Sequence, residues 1–318
     1  MKGLILLVAA ALPLTISGSA PGAEAAKKAS RRAAAETWPA DLKVTDNIIY
    51  KKVGDTSLVL AVIQPAQKRF EKAPLVIYIH GGGWGGGDRF RVLKQSTVGL
   101  VRKLGAAGFV TASIEYRLTK QGGPTAMDSA ADCKDAVRFL ASHASEYGID
   151  PDRIGTLGTS AGGHLTLVTA LGDDGDYPGD PALASTPAEV RCVAAYYPAT
   201  SFLPEDGFED RFQQANRMEV MFGGTLEQKR DAVRKLSPIH LLKSTSPPIF
   251  LAHGDADTTL SCAHSQKMEK AARALGLPVE CVIAKGAGHG LSGKDIDPSI
   301  EEINRRTLEF FSKYLLRG

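Results

Sequence analysis

The sequence predicts an α/β fold in which a mostly parallel, eight-stranded sheet is covered by helices on both faces. Short apolar runs alternate with segments of helical period, and such runs are typical of parallel strands buried on both sides. A hairpin pattern precedes this alternation, which suits a mixed sheet better than a purely parallel one. The 318 residues, of which 43% are hydrophobic, are enough to bury one large core.

The first predicted elements are two β-like runs, at 47–53 and 57–63, separated by the turn residues Gly54 and Asp55. Together they predict an antiparallel hairpin. The next strand is expected at 74–79, where a continuous apolar run ends at a series of glycines, and another at 109–116. A helix is expected to follow from about 128 to 147.

In the second half, a buried strand at 153–157 leads directly into a predicted helix at 161–170. Further strands are expected at 190–197, 248–252 and 279–284, with helices at 262–275 and 299–316. The segment at about 200–237 interrupts the alternation and carries aromatic residues and methionines among acidic residues. An insertion of this length is usually functional or poorly ordered, so we interpret it as a small cap over the substrate site.

The beginning of the chain has the features of a cleavable export signal. Lys2 supplies a positive charge, the apolar run at 4–16 follows, and Ala23-Glu24-Ala25 fits a small-x-small cleavage site. The run is shorter than the roughly 20 residues that span a membrane, so no stable membrane insertion is expected after cleavage. We therefore expect a secreted or periplasmic bacterial protein, with a signal peptide at 1–25 and a linker at 26–40.

The charge and the cysteines limit the possible partners. The chain has 38 basic and 35 acidic residues, a balance that gives no reason to expect a nucleic acid partner. Its four cysteines lack the spacing of a metal site, and no metal or cofactor is predicted. They could form two disulfides in an oxidising compartment or remain as buried thiols, and the sequence leaves both possibilities open. They are Cys133, Cys192, Cys262 and Cys281.

The segment 158–162 reads G-T-S-A-G and predicts Ser160 as a nucleophile. The G-x-S-x-G pattern alone is a weak signal, but here it follows a predicted strand and opens a predicted helix. This is the strand–turn–helix context in which glycines hold a strained serine outward. The competing interpretation, a structural serine in a turn, does not account for that context.

The segment 80–84 reads H-G-G-G-W and follows the strand at 74–79. Consecutive glycines let backbone N–H groups point into a cavity, where they can stabilise the oxyanion of a tetrahedral intermediate. The predicted donors are the N–H groups of Gly82, Gly83 and Ala161. A phosphate-binding glycine loop is the alternative, but the chain has no G-x-x-x-x-G-K-[ST] pattern.

A base and an orienting acid are expected after later strands, in the chain order Ser, acid, His. Asp257 follows the strand at 248–252, and His289 lies on a glycine-rich turn after the strand at 279–284. We predict His289 as the general base and Asp257 as the acid that orients it, with Asp255 as the alternative acid. His80 is expected to organise the glycine loop, and His253 to shape the turn before Asp257.

These motifs resemble the BD-FAE-type carbohydrate esterases, within the hormone-sensitive-lipase-like α/β hydrolases. The resemblance covers about 74–316 and includes H-G-G-G-W at 80–84 and G-T-S-A-G-G-H-L at 158–165. It also includes Ser246-Pro247-Pro248 leading into H-G-x-x-D at 253–257, Arg153-Ile154-Gly155, Tyr116-Arg117-Leu118 and Ser237-Pro238.

The resemblance implies an α/β-hydrolase catalytic domain at 41–318, with Ser160, Asp257 and His289 as its triad. It also implies a serine carboxylesterase that removes acetyl or feruloyl groups from small-molecule or polysaccharide esters. A prolyl-oligopeptidase-type peptidase shares the Ser, Asp, His order. The elbow of such peptidases resembles G-x-S-Y-G-G, with a tyrosine after the serine, whereas Ala161 follows the serine here. A formamidase is a nearer alternative, which the export signal opposes, and a catalytically inactive binding module is opposed by the intact triad residue types.

Overall fold

The computed structural model describes residues 38–316, except 66 and 209–213. The predicted signal peptide and most of the predicted linker lie outside the described residues. The elements below all belong to the compact unit that begins at Pro39.

Within the described residues, eight strands form one sheet in the order β1-β2-β4-β3-β5-β6-β7-β8. Strand β1 pairs antiparallel with β2, and β2 pairs antiparallel with β4, whereas the remaining neighbours are parallel. The strands are β1 (Lys43–Val53), β2 (Thr56–Gln64), β3 (Ala73–Ile79), β4 (Val110–Ile114), β5 (Ile149–Thr159), β6 (Cys192–Tyr196), β7 (Ile249–Gly254) and β8 (Val279–Ala284).

Helices of the described part lie in connections between strands and after β8, together with short 3-10 turns such as Arg89–Leu93. They are α1 (Gln95–Ala106), α2 (Ala126–Ser142), α3 (Ala144–Tyr147), α4 (Ala161–Leu171), α5 (Ala215–Phe222), α6 (Leu226–Lys235), α7 (Ala263–Ala274) and α8 (Ile300–Leu315).

The predicted α/β class, the hairpin and the mostly parallel sheet are confirmed. Two details of the helices differ from prediction. The expected helix at 128–147 is interrupted at His143, which separates α2 from α3. Helix α1 was not predicted, because glycines and β-branched residues weaken its helical propensity. It is stabilised instead by an apolar stripe in which Leu100, Val101 and Leu104 are buried.

Helices cover both faces of the sheet. In β5, Ile154 belongs to a core cluster that also contains residues of α2 and α4, among them Val137 and Leu165. The next residue, Gly155, faces the opposite way, because a Cβ there would lie 2.9 Å from Phe311 of α8. Since both faces are buried, the neighbouring strands β3 and β6 are apolar along their length, whereas the charged residues of β5 lie at its exposed beginning.

The segment 200–237, predicted as a cap, contains α5 and α6 in its described part. Its apolar side chains enter the main core, where Phe202, Met218, Met221 and Phe222 are buried. One residue of α5, Arg217, also lines the cavity described below. The segment therefore contributes to the core and to the cavity wall, and a covering role over the substrate stays a prediction.

The four cysteines are free thiols in the structure. Cys133 and Cys192 are buried, and Cys262 and Cys281 are partly exposed. Among the helices of the described residues, none combines the length and the apolar character needed to cross a membrane.

Candidate active site

Ser160 lies on a strained turn between β5 and α4. Its backbone has φ 54° and ψ −121°, a conformation that costs a non-glycine residue about 1–3 kcal/mol. The turn is held by a hydrogen bond from the Ser160 N–H to the Tyr196 carbonyl oxygen at 2.9 Å. It also depends on Gly162, where a Cβ would lie 2.0 Å from the carbonyl oxygen of Ile79. The close approach of α4 to β3 therefore fixes the position of the serine.

The Ser160 side chain makes no hydrogen bond to the start of helix α4, although Ser160 occupies the N-cap position. An N-cap serine ordinarily accepts a hydrogen bond from the first turn of the helix. Here the hydroxyl lies 3.0 Å from Nε2 of His289 instead. The strained backbone thus directs the hydroxyl away from the helix and toward the histidine.

The same histidine contacts a carboxylate on its other side. His289 Nδ1 lies 2.7 Å from Oδ2 of Asp257. The donor at this contact is Nδ1–H, since the carboxylate oxygen can only accept, and Nε2 is then free to accept the proton of the Ser160 hydroxyl. The strands β5, β7 and β8 bring these side chains to the same edge of the sheet. One continuous hydrogen-bond chain therefore runs from Asp257 through His289 to Ser160.

Asp257 is held as an anion by the loop that follows β7. Its Oδ1 accepts hydrogen bonds from the N–H groups of Thr259 at 2.7 Å and Leu260 at 2.9 Å. Burial acts to raise the pKa of Asp257, but the interactions with His253, His289 and Leu260 outweigh it and hold the pKa well below its usual range. A buried carboxylate that is ionised at neutral pH beside His289 stabilises an imidazolium when one forms.

Asp255, the alternative acid, has a different role. Its Oδ1 accepts a hydrogen bond from the N–H of Gly286 at 2.7 Å, which ties the turn after β7 to the turn after β8. His253 is buried and also structural, because its Nε2 donates to the Leu260 carbonyl oxygen at 2.9 Å and its Nδ1 lies 2.8 Å from the hydroxyl of Ser265. The structure thus brings Asp257, and not Asp255, to His289.

The glycine loop after β3 packs directly against the serine turn. A Cβ on Gly81 would lie 2.6 Å from the Thr159 carbonyl oxygen and 3.1 Å from Cβ of Ser160. Gly82, with φ 139°, would place a Cβ 2.0 Å from the Gly86 carbonyl oxygen, so the loop cannot keep this path with a side chain there. Gly82 and Gly83 line the cavity next to Ser160.

Ala161 is the first residue of α4, so its N–H has no partner within the helix. The start of an α-helix also carries a partial positive charge from the aligned peptide dipoles. The N–H of Ala161 and those of Gly82 and Gly83 are the three donors that the sequence predicts for an oxyanion. The structure places all three residues around Ser160.

Two buried histidines stabilise the glycine loop after β3. Burial lowers the pKa of His80 and that of His164 to about 4, so both rings are neutral near pH 7. His80 Nδ1 lies 2.9 Å from the Gly81 carbonyl oxygen, and its ring stacks on Tyr116. His164 Nδ1 accepts from the indole N–H of Trp84 at 3.0 Å, and its Nε2 donates to the Leu236 carbonyl oxygen at 2.7 Å. They therefore hold both ends of the H-G-G-G-W segment.

The cavity that Ser160 and His289 share has a volume of about 360 Å³, at the small end of the range for ligand sites. Several of its lining residues were not found by sequence reasoning. The ring of Tyr197 packs edge-on against His289 at 4.9 Å, and Tyr197 follows β6 without any motif that would reveal it. Arg91, Lys94 and Arg217 also line the cavity.

No group of three or more His, Cys, Asp or Glu side chains that could hold a metal ion occurs in the part of the chain that the structure describes. The groups assembled at the site are a hydroxyl, an imidazole, a carboxylate and backbone amides. They can activate a nucleophile, transfer a proton and stabilise an oxyanion.

Residues 60–272, more than half of the chain, match the family model described as BD-FAE. The chain belongs to the BD-FAE family. This is an α/β-hydrolase esterase family, and the match includes both the glycine loop and the serine turn.

Relatives of the BD-FAE chain carry esterase names. It is 26% identical over 224 residues to the isoprenylcysteine alpha-carbonyl methylesterase ICME of Arabidopsis thaliana, covering 68% of this chain and 50% of that protein. It is also 26% identical over 232 residues to the esterase LipQ of Mycobacterium tuberculosis, covering 73% and 53% respectively. The chain thus spans about half the length of these curated relatives.

Solved esterase structures share the whole fold of this BD-FAE protein. The propionate-bound Est2 esterase of the Planctomycetes species Thermogutta terrifontis superposes with a TM-score of 0.69 at 25% sequence identity. The superposition covers 90% of this chain and 96% of the other. The predicted α/β-hydrolase fold is therefore confirmed along nearly the full length of a known esterase.

Proposed function

We propose that the protein is a serine carboxylesterase in which Ser160 is the nucleophile, His289 the general base and Asp257 the acid that orients the histidine. The observation that carries the proposal is the hydrogen-bond chain from Asp257 through His289 to Ser160, with distances of 2.7 and 3.0 Å. A nucleophile, a base within hydrogen-bond reach and a third group that orients the base form the arrangement that activates a serine.

In the first half of the reaction, the Ser160 oxygen attacks the ester carbonyl carbon while its proton passes to His289 Nε2. The carbonyl oxygen becomes an oxyanion, which the N–H groups of Gly82, Gly83 and Ala161 stabilise. His289 then donates the proton to the alkoxy oxygen, the carbon–oxygen bond breaks, and the alcohol leaves an acyl group on Ser160. Asp257 stabilises the imidazolium in this interval.

In the second half, a water molecule takes the place of the alcohol. His289 accepts one water proton as the water oxygen attacks the acyl carbon, and the same donors stabilise the second oxyanion. The bond to Ser160 breaks, the serine recovers its proton from His289, and the carboxylic acid is released. No further reactant is needed.

The proposed substrates are acetyl or feruloyl-type esters of carbohydrates. Support for this class comes from the BD-FAE family and from a cavity of about 360 Å³, which suits a short or single-ring acyl group. We also propose that the protein is exported, on the basis of the charged, apolar and small-residue pattern at 1–25.

The test is a substrate panel assayed with the purified protein and with Ser160→Ala as its control. The panel contains 4-nitrophenyl acetate, acetylated xylan, feruloylated arabinoxylan and proline-containing peptides. We expect release of acetate or ferulate and no peptide cleavage, and we expect Ser160→Ala to be inactive. Peptide cleavage without ester hydrolysis, or full activity of the variant, would contradict the proposal.

A further inference from the structure

The lining of the cavity beside Ser160 has an excess of positive charge. Three of its lining residues, Arg91, Lys94 and Arg217, carry cationic side chains. No acidic side chain lines it among the described residues. The chain as a whole is close to balance, with 38 basic and 35 acidic residues, so this local excess does not reflect composition.

Two arginines of the same 3-10 helix, Arg89–Leu93, show how unusual this lining is. Arg89 is paired on all sides, with its guanidinium donating to Asp46 at 2.6 and 3.0 Å, to Glu115 at 2.5 Å and to Asn47 at 3.0 Å. Arg91, only two residues later, forms no ion pair with any residue that the structure describes. Arg89 thus stabilises the fold, whereas Arg91 presents its charge at the cavity.

Lys94, like Arg91, has no ion-pair partner among the described residues. It directly follows the 3-10 helix, its side chain is exposed, and the described residues provide it with no carboxylate partner. Elsewhere in the protein, lysines that approach the interior are paired. Lys51, for example, contacts Asp132 at 2.7 Å and Asp135 at 2.6 Å. Two cations without a carboxylate partner among the described residues therefore line the same cavity.

Arg91 also packs against the glycine loop. A Cβ on Gly87, at the end of the glycine loop, would lie 2.8 Å from the Arg91 Nε and 2.6 Å from Nδ1 of His80. The arginine side chain thus packs against the loop that supplies Gly82 and Gly83. A negative group on a substrate could reach this lining while its ester lies at Ser160, because the whole cavity is only about 360 Å³.

We propose that this cavity selects esters that carry a carboxylate close to the ester bond, with Arg91 and Lys94 as the residues that recognise it. The inference rests on the proposed esterase function and names the class of ester that the enzyme prefers. The carboxylate can belong to the acyl part, as in a dicarboxylic half-ester, or to the alcohol part, as in an acylated sugar acid. The chemistry of recognition is the same in both.

The experiment compares pairs of esters that differ in the carboxylate. On the acyl side, mono-4-nitrophenyl succinate is compared with 4-nitrophenyl butyrate. On the alcohol side, 3-carboxyphenyl acetate is compared with phenyl acetate. Each kcat/KM is divided by the rate constant for alkaline hydrolysis of the same ester, which removes differences in intrinsic reactivity. We expect a preference of about tenfold for the carboxylate ester in at least one pair, and the pair that shows it identifies the side.

Salt and variants show whether charge causes the preference. We expect it to decline as KCl is raised through about 0.1 M, where the screening length is about 10 Å. Arg91→Met and Lys94→Met should each lower the ratio of the two kcat/KM values several-fold, and the double variant about tenfold. Lys103→Met is the matched control, because Lys103 is an exposed lysine of α1 that does not line the cavity, and it should leave the ratio unchanged.

Three failures can be told apart. If the neutral esters are hydrolysed in a Ser160-dependent reaction but the carboxylate esters are not preferred, this inference is wrong and the esterase proposal stands. If a preference exists but is insensitive to salt and to both variants, recognition by Arg91 and Lys94 is wrong. If none of the four esters is hydrolysed, the proposed function itself fails.

Discussion

Two charged regions of the molecule differ in whether their charged side chains are paired within the protein. The first lies around α2, where Asp132 and Asp135 are fully buried and Lys51 of β1 contacts both carboxylates. Arg117 adds two side-chain hydrogen bonds to Asp132, at 2.7 and 2.9 Å, and its backbone N–H adds a third at 3.0 Å. Arg138 binds Asp135 at 2.8 Å. In this region each charge is satisfied by other groups of the protein.

The second region is the cavity edge of the sheet, where the inner groups are hydrogen-bonded within the protein and the outer groups face the cavity. Asp257 is fully hydrogen-bonded by the loop after β7 and by His289. The next groups outward are the Ser160 hydroxyl and the cations at Arg91 and Lys94, which face the cavity. Charged and polar groups that stabilise the fold are thus paired with one another, whereas groups that meet a substrate are positioned by the fold and left available.

The largest effect is expected where the available hydroxyl is removed. Ser160→Ala should lower kcat for 4-nitrophenyl acetate by at least about a thousandfold, since the nucleophile is lost. The thermal midpoint should change little, because the Ser160 side chain does not cap α4. Steady-state kinetics measures the change in kcat, and a thermal melt measures the change in the thermal midpoint. A large loss of stability would show that Ser160 belongs to the structural region instead.

The next effect concerns the paired region. Asp132→Ala leaves Lys51 and Arg117 without their shared partner inside the protein, and removal of one partner from a buried pair costs about 3–5 kcal/mol. We expect a fall of this size in the free energy of unfolding, measured in urea. Asp176→Ala is the control, since Asp176 pairs with Lys235 at the surface at 2.7 Å and should cost about 1 kcal/mol or less. Equal effects of the two changes would contradict the distinction.

A smaller effect on catalysis is expected in the glycine loop. Gly82→Ala forces the loop away from the Gly86 carbonyl oxygen and displaces the predicted oxyanion donors, so kcat should fall about a hundredfold. Gly83→Ala is the matched change, because a Cβ there meets nothing within 4 Å, although its φ of 63° still costs about 1–2 kcal/mol. If both variants retain the wild-type kcat, the loop does not stabilise the oxyanion.

Much of the site was predictable from sequence. The serine turn and the glycine loop leave local signals, because a backbone that passes so close to another backbone demands glycines at fixed spacings. Asp257 and His289 were predictable because parallel strands bring their carboxyl ends to one edge of the sheet, and the chain order then selects among the acids and histidines.

The remaining features depend on long-range packing and leave no local signal. Arg91 and Arg89 are indistinguishable in sequence, and only the folded chain shows that one is paired and the other faces the cavity. Tyr197 and Arg217 reach the site from connections with no recognisable motif. Helix α1 was missed for a related reason, since tertiary burial of its apolar stripe outweighs its weak local propensity.

The smallest effect is a pH dependence of stability that comes from Asp257. Its pKa is lower in the folded protein than in the unfolded chain, so its ionised form stabilises the fold above the unfolded value of about 3.9, and that contribution is lost as the pH falls further. The difference in unfolding free energy between the wild type and Asp257→Asn should therefore be constant near neutral pH and narrow below about pH 4. A difference independent of pH down to pH 3 would contradict the low pKa of Asp257.

Covalent labelling shows whether Ser160 is the activated nucleophile. The wild-type protein is treated with paraoxon, whose phosphoryl product mimics the tetrahedral intermediate, and the residual esterase activity is measured beside a peptide map by mass spectrometry. We expect one diethylphosphoryl group per chain, located on Ser160, with activity lost in proportion to its formation and no label on the Asp257→Asn variant under the same short exposure. Loss of activity with the label on another residue, or full activity with Ser160 labelled, would contradict this role of Ser160.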